Sequence, residues 1–184
     1  MYKRFNTTGL CLPEKHYMAD ISRQLYTITN HVKEGAYFCI NCARQYRKTT
    51  TLNALSHRLE PDYLVISLDF QALGNASFQD ENIFSLTFAE YFLRELQFKE
   101  LPADIQKPLE PLKAAVRAKE DSFVLFHLFG CITSICKNMP RPVVLMIDEI
   151  DSASNNQVFL DFLAQLRYSY LEREKRNIPA FHSI

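Results

Sequence analysis

Glycine is scarce in this chain, with four among 184 residues, and none falls between Gly35 and Gly74. A loop in that interval lacks the freedom in φ and the close backbone approach that only a residue without Cβ provides. Net charge is missing too, because twenty-one Lys and Arg balance twenty-one Asp and Glu. That balance removes the broad basic field of a nucleic-acid surface, while leaving room for a local patch. There is no long hydrophobic run. The most apolar stretch, 123–135, is too short and too interrupted to span a bilayer. The opening Met1-Tyr2-Lys3-Arg4-Phe5-Asn6-Thr7-Thr8 lacks the apolar core of a secretory signal. Five cysteines, an odd number, argue for free thiols rather than a disulfide framework. These absences make a cytoplasmic protein without membrane partners the default expectation. Cys39-Ile40-Asn41-Cys42 has redox or zinc spacing, but it falls in a predicted strand, where residues three apart face opposite sides. Both thiols are therefore read as small buried apolar residues.

What is present fits one domain with a sizeable core, at 47% hydrophobic residues. Residues 1–18 read as an irregular lead-in. Asp20 or Ser22 caps a helix to about Lys33, with Ile21, Leu25, Ile28 and Val32 on one face, and Gly35 ends it. The short apolar runs 36–42, 63–70 and 143–148 predict buried strands. Helices are predicted over 48–59, 79–98, 112–119, from 121 or 122 to 137, and 155–173. Alternating strands and helices imply an α/β fold, with a parallel sheet covered by helices on both faces.

Two constellations carry chemistry. Ala43-Arg44-Gln45-Tyr46-Arg47-Lys48-Thr49-Thr50-Thr51 joins the first predicted strand to a helix, the place of a phosphate-binding loop. In such a loop Lys48 reaches the terminal phosphates, the Thr49 hydroxyl ligates magnesium, and Thr50 sits near the inner phosphates. The strict pattern is G-x-x-x-x-G-K-[ST]; here Asn41 or Cys42 stands near the first glycine and Arg47 replaces the second. Taken alone, Lys-Thr at a helix start also reads as ordinary polar residues of a first turn. A hundred residues on, Val143-Val144-Leu145-Met146-Ile147-Asp148-Glu149 places carboxylates at the C-terminal end of a parallel strand, where open α/β sheets bind ligands. Asp148 would hold magnesium, and Glu149 would orient and activate the attacking water. An acidic cap on the next helix is the alternative reading. Both constellations in this order point to a nucleotide site with Mg2+.

Phe5-Asn6-Thr7-Thr8-Gly9, Pro13-Glu14-Lys15-His16-Tyr17-Met18, the 43–51 run and Asp148-Glu149-Ile150-Asp151 resemble the bacterial AAA-like (ORC/STAND-related) P-loop ATPase family over nearly the whole chain. The resemblance implies a three-layer P-loop NTPase domain of the additional-strand class. It also implies ATP as ligand, bound in part by Gln45, Tyr46 and Arg47, with His16 and Tyr17 near the adenine. A surface histidine and a packing tyrosine are the alternative for that pair.

The sequence departs from this family in two places. The family's loop reads R-Q-x-G-K-[ST], whereas Arg47 puts a long side chain at its most crowded point. Weak or absent ATP binding is therefore expected. In relatives a further strand lies between the phosphate-loop strand and the acidic strand, and Ala180-Phe181-His182-Ser183-Ile184 looks like its start. The expectation is a domain truncated before its sensor residue, last strand and lid. The rival to an ATPase is a non-catalytic interaction or scaffold protein that keeps the fold. A homo-oligomer or protein partner is left open, and zero net charge gives a nucleic-acid partner no support.

Overall fold

A computed structural model describes residues 2–5, 14–17, 20–40, 48–150, 153 and 155–184. Six helices and two paired strands are formed among them: α1 (Ser22–Lys33), α2 (Lys48–Leu59), β1 (Leu64–Asp69), α3 (Glu81–Leu96), α4 (Gln106–Ala118), α5 (Leu125–Asn138), β2 (Val143–Asp148) and α6 (Gln157–Arg176). The strands are parallel, in register from Leu64↔Val143 to Asp69↔Asp148. Their apolar runs are buried along most of their length, as expected of strands covered on two faces.

Alternate strand residues belong to different cores, because successive side chains point to opposite faces. Val65, Val144 and Met146 pack with Ile28, Val32, Leu55 and Leu59 of α1 and α2. Leu64, Ile66, Leu68, Val143 and Leu145 join a larger core with residues of α3, α4, α5 and α6. That second core is aromatic. Phe84, Phe88 and Phe92 recur every four residues on α3 and meet Phe162 and Phe181, with ring centroids 4.9 to 6.2 Å apart. Ser85 lies among them fully buried, with no hydrogen-bond partner for its hydroxyl among the described residues.

The free edge of β2 is covered by the end of the chain. The His182 amide donates to the Val143 carbonyl at 2.7 Å, and the Leu145 amide to the Ser183 carbonyl at 3.0 Å. Residues 36–40 lie beyond this segment. The Phe38 amide donates to the Ile184 carbonyl at 3.0 Å, and Ser183 Oγ donates to the Ala36 carbonyl at 2.6 Å. The backbones therefore run side by side in the order 64–69, 143–148, 182–184, 36–40. The predicted strand 36–42 is not formed as a regular ladder over 36–40; 41 and 42 lie outside the described residues.

Two other expectations are corrected. The predicted helix 112–119 begins six residues earlier, at Gln106. Pro108 falls in the first turn, where an amide has no intrahelical acceptor anyway. Pro111 lies inside the helix and is exposed, as is Lys107, whose carbonyl loses its partner to the proline ring but can turn to water. Cys39 is exposed rather than buried; Cys11 and Cys42 lie outside the described residues.

Arg173 of α6 is held inside the fold. Its side chain is 17% exposed. It donates to the carbonyls of Phe181 (2.7 Å), His182 and Gly35 (2.7 Å), and lies over the rings of Tyr37 and Tyr170. Gly35 ends α1 at φ +69, and a Cβ there would come within 3.1 Å of the guanidinium. One arginine thus ties the turn after α1 to the segment that covers β2.

Candidate functional site

The site is where α2 begins and β2 ends. The run Val143–Ile147 drives β2 into the core and delivers Asp148 to the C-terminal edge of the sheet, where Asp148 and Glu149 are half-buried. Leu55 and Leu59 press α2 onto the opposite face of the same strands, which brings its first turn beside that edge. At that edge a side-chain hydrogen bond joins the two elements across 99 positions: Thr49 Oγ1 donates to Asp148 Oδ2 at 3.1 Å. The other carboxylate oxygen, Oδ1, accepts the Glu149 amide at 2.9 Å. The Asp148 side chain is thereby fixed in orientation, with an exposed hydroxyl against it.

Glu149 stands in the left-handed region, at φ +56. For a residue with a Cβ this conformation costs about 1–2 kcal/mol. It breaks the line of β2 and turns the chain at the sheet edge. Such cost is stored characteristically where geometry serves a site.

Two cavities open on either side of Asp148. One, of about 150 Å³, is lined by Lys48, Asp148 and Glu149 above an apolar floor that includes Ile40, Leu52 and Met146. The other, of about 340 Å³, is polar, with Thr49, Ser56, His57, Ser67, Asp69 and Asp148 around it. Lys48 at the start of α2 and the carboxylates at the end of β2 therefore share one cleft. The first amides of a helix have no intrahelical acceptor and favour an anion.

Of the residues singled out in the sequence, Lys48, Thr49, Asp148 and Glu149 are brought together. Thr50 is buried beneath the first turn of α2. Gln45, Tyr46 and Arg47 lie outside the described residues. His16 is buried and Tyr17 exposed. Residues 4 and 16 form an isolated parallel bridge, and the Tyr17 ring lies 4.9 Å from Phe5. Neither lines the two cavities that hold Lys48, Thr49 and Asp148.

Among the described residues no three His, Cys, Asp or Glu side chains converge as a metal cage. A hydroxyl and one carboxylate oxygen in contact are instead the sparse, all-oxygen set that magnesium accepts when phosphates and waters complete its shell. The residues present fit that ion.

The AAA-like domain family matches residues 10–181. The chain belongs to this AAA-like family. The match covers nearly the whole chain and includes both elements of the site, and the family has a nucleotide-binding, ATPase-type fold. No curated protein and no solved structure matches the chain. No helix among the described residues is long and apolar enough to cross a membrane.

Sequence reasoning missed Arg173 and His182. Both line up the segment that walls the cleft beside Ser183 and Ile184. The available signal was Tyr170, one turn before Arg173, which presents a ring for a guanidinium to cover. His57 Nδ1 is 3.4 Å from Glu60 Oε2, and His127 Nδ1 accepts from the Val124 amide at 3.4 Å.

Proposed function

We propose that this chain is an ATP-binding AAA-like domain of the three-layer, additional-strand P-loop class, with phosphate binding weakened by Arg47. The observation that carries the reading is the hydrogen bond from Thr49 to Asp148, which joins the end of the 43–49 run to the end of the acidic strand. The Walker A unit spans 36–59 and the Walker B unit 143–151. Helices on both faces of the strands, and the run of backbones 64–69, 143–148, 182–184 and 36–40, support that architecture.

Lys48 offers its ammonium to the terminal phosphates from the first turn of α2, where the helix dipole favours their negative charge. Thr49 and Asp148 hold magnesium, with Gln45, Tyr46, Arg47 and Thr50 around the phosphates and His16 and Tyr17 toward the base. Bound MgATP supplies the activated phosphoanhydride. Glu149 is the general base: its left-handed backbone leaves the carboxylate on the wall of the cavity that Lys48 lines, where it can orient a water.

Arg47 stands where a glycine would let the backbone approach the phosphates, and this favours a second reading. In it the chain keeps the fold as a non-catalytic interaction or scaffold protein. Magnesium-dependent ATP hydrolysis that disappears in Glu149→Gln supports the ATPase; binding of a labelled ATP analogue without any turnover supports the scaffold. Binding left unchanged by both Lys48→Ala and Asp148→Asn would overturn the site itself.

A further inference from the structure

Helices α3 and α4 leave a groove of about 730 Å³ between them. Its floor is leucine. Leu96 and Leu109 are buried, while Leu93, Leu101 and Val116 are only partly covered. Its rim is basic: Arg94, Lys99, Lys113 and Arg117 line it against a single lining carboxylate, Glu90. In a chain with no net charge this is a local concentration of one sign over exposed apolar surface.

The rim cations have only light engagements at present. Lys113 Nζ donates to Gln106 Oε1 at 2.6 Å, Arg117 pairs with Glu110, Lys99 pairs with Glu60 at 3.2 Å, and Arg94 lies 4.3 Å over the Tyr91 ring. An exposed pair such as Arg117–Glu110 contributes about 0–1 kcal/mol, so a partner's carboxylate can replace it at little cost, whereas Lys99 is held in a part-buried pair. A 16-residue and a 13-residue helix form the walls. At 1.5 Å per residue these run about 24 and 20 Å, which suits a third helix of three to four turns laid between them. No strand edge borders the groove, so an extended peptide would leave its backbone unpaired there. A leucine floor likewise gives a phosphate backbone nothing to bind, and nucleic-acid interfaces are more polar than this one.

We propose that the α3–α4 groove binds an acidic amphipathic helix of a partner protein. The helix places its apolar stripe on Leu93, Leu101 and Val116, and its flanking carboxylates on Arg94, Lys113 and Arg117. This is the helix-in-groove mode, with apolar anchors recurring at i, i+3 or i+4, and i+7. Arg94, Lys113 and Arg117 line neither cavity at Lys48, Thr49 and Asp148, so the proposal stands whether or not ATP binds.

The test uses the full chain and fluorescein-labelled helical peptides of about 14 residues. One carries leucines at i, i+3, i+4 and i+7 with glutamates elsewhere, one is its scramble, and one has lysine for every glutamate. Anisotropy titrations should show binding of the acidic helix, weakening with salt, and at least about tenfold weaker binding of the scramble. The double variant Arg94→Glu with Arg117→Glu changes two exposed residues, and circular dichroism checks its fold. It should lose the acidic helix by about tenfold or more and gain the lysine helix. Equal binding of the scramble, no binding by the native chain, or indifference to the charge reversal would overturn the proposal. So would binding of a single-stranded oligonucleotide, abolished by the reversal, in place of the acidic helix.

Discussion

The two faces of the strands are built differently. Beneath α1 and α2 lies a thin aliphatic layer of Ile28, Val32, Leu55, Leu59, Val65, Val144 and Met146. Beneath α3 to α6 lies a deep layer in which Phe70, Phe84, Phe88, Phe92, Phe159, Phe162 and Phe181 are fully buried. Both Lys48 and Thr49 ride on the thin face, while the deep face lends only apolar wall, Phe159 and Leu166 included, to the cavity that Lys48 lines. The aromatic layer fixes the strands, and the thin layer fixes only the helix that must meet them. Damage to the first should cost folding; damage to the second should cost the alignment of Thr49 with Asp148.

The largest effect expected is from Phe162→Ala, which removes a ring packed against Phe84, Phe88 and Phe129. It should cost about 3–5 kcal/mol, read from urea or thermal unfolding. Leu55→Ala, on the thin face, should cost about 2–3 kcal/mol, with a smaller cavity to leave behind. At temperatures where both variants are folded, Leu55→Ala should weaken nucleotide binding more than Phe162→Ala does. The reverse order would break the distinction between the faces.

Ser85→Ala sharpens the account of the deep layer from the other side. Its hydroxyl sits among phenylalanines without a partner, and removing it should raise stability by about 1 kcal/mol, visible as a higher denaturant midpoint at unchanged slope. A loss of stability would mean that the hydroxyl is satisfied.

The smallest effect is on pH dependence. Burial holds the His182 imidazole below its ordinary value of 6.5, opposed by its contact with the Val32 carbonyl and aided by the nearby Arg173 charge. The unfolded chain then binds the proton more readily than the folded one. The contribution is complete above the unfolded value and is lost as pH falls through the lower folded one. Unfolding midpoints between about pH 7 and pH 5 should fall more steeply for the native chain than for His182→Gln.

Much of this was legible in the sequence, and the gaps have physical causes. The bounds of α2 and the two apolar strands followed from runs that are buried on both faces, where periodicity and turn residues agree. The pairing of Thr49 with Asp148 was legible because each motif specifies its own place, at a helix start and a strand end. The place of 180–184 between 36–40 and 143–148 was legible through the family resemblance, but the lack of a regular ladder over 36–40 was not, because it depends on contacts about 145 positions away. The early start of α4 was hidden by prolines that a first turn tolerates. Arg173 was hidden because its acceptors are main-chain carbonyls, one of them 138 positions away at Gly35, and a carbonyl has no letter in a sequence.

The central claim is that Lys48, Thr49 and Asp148 form a nucleotide site that Arg47 impairs. A titration of a labelled ATP analogue with magnesium, run on the native chain, on Arg47→Gly and on Arg47→Gly with Thr49→Ala, tests it most directly. The account predicts native binding weaker than micromolar, a gain of about tenfold or more in Arg47→Gly, and loss of that gain when Thr49 is removed. Micromolar binding by the native chain, with no change in Arg47→Gly, would contradict it.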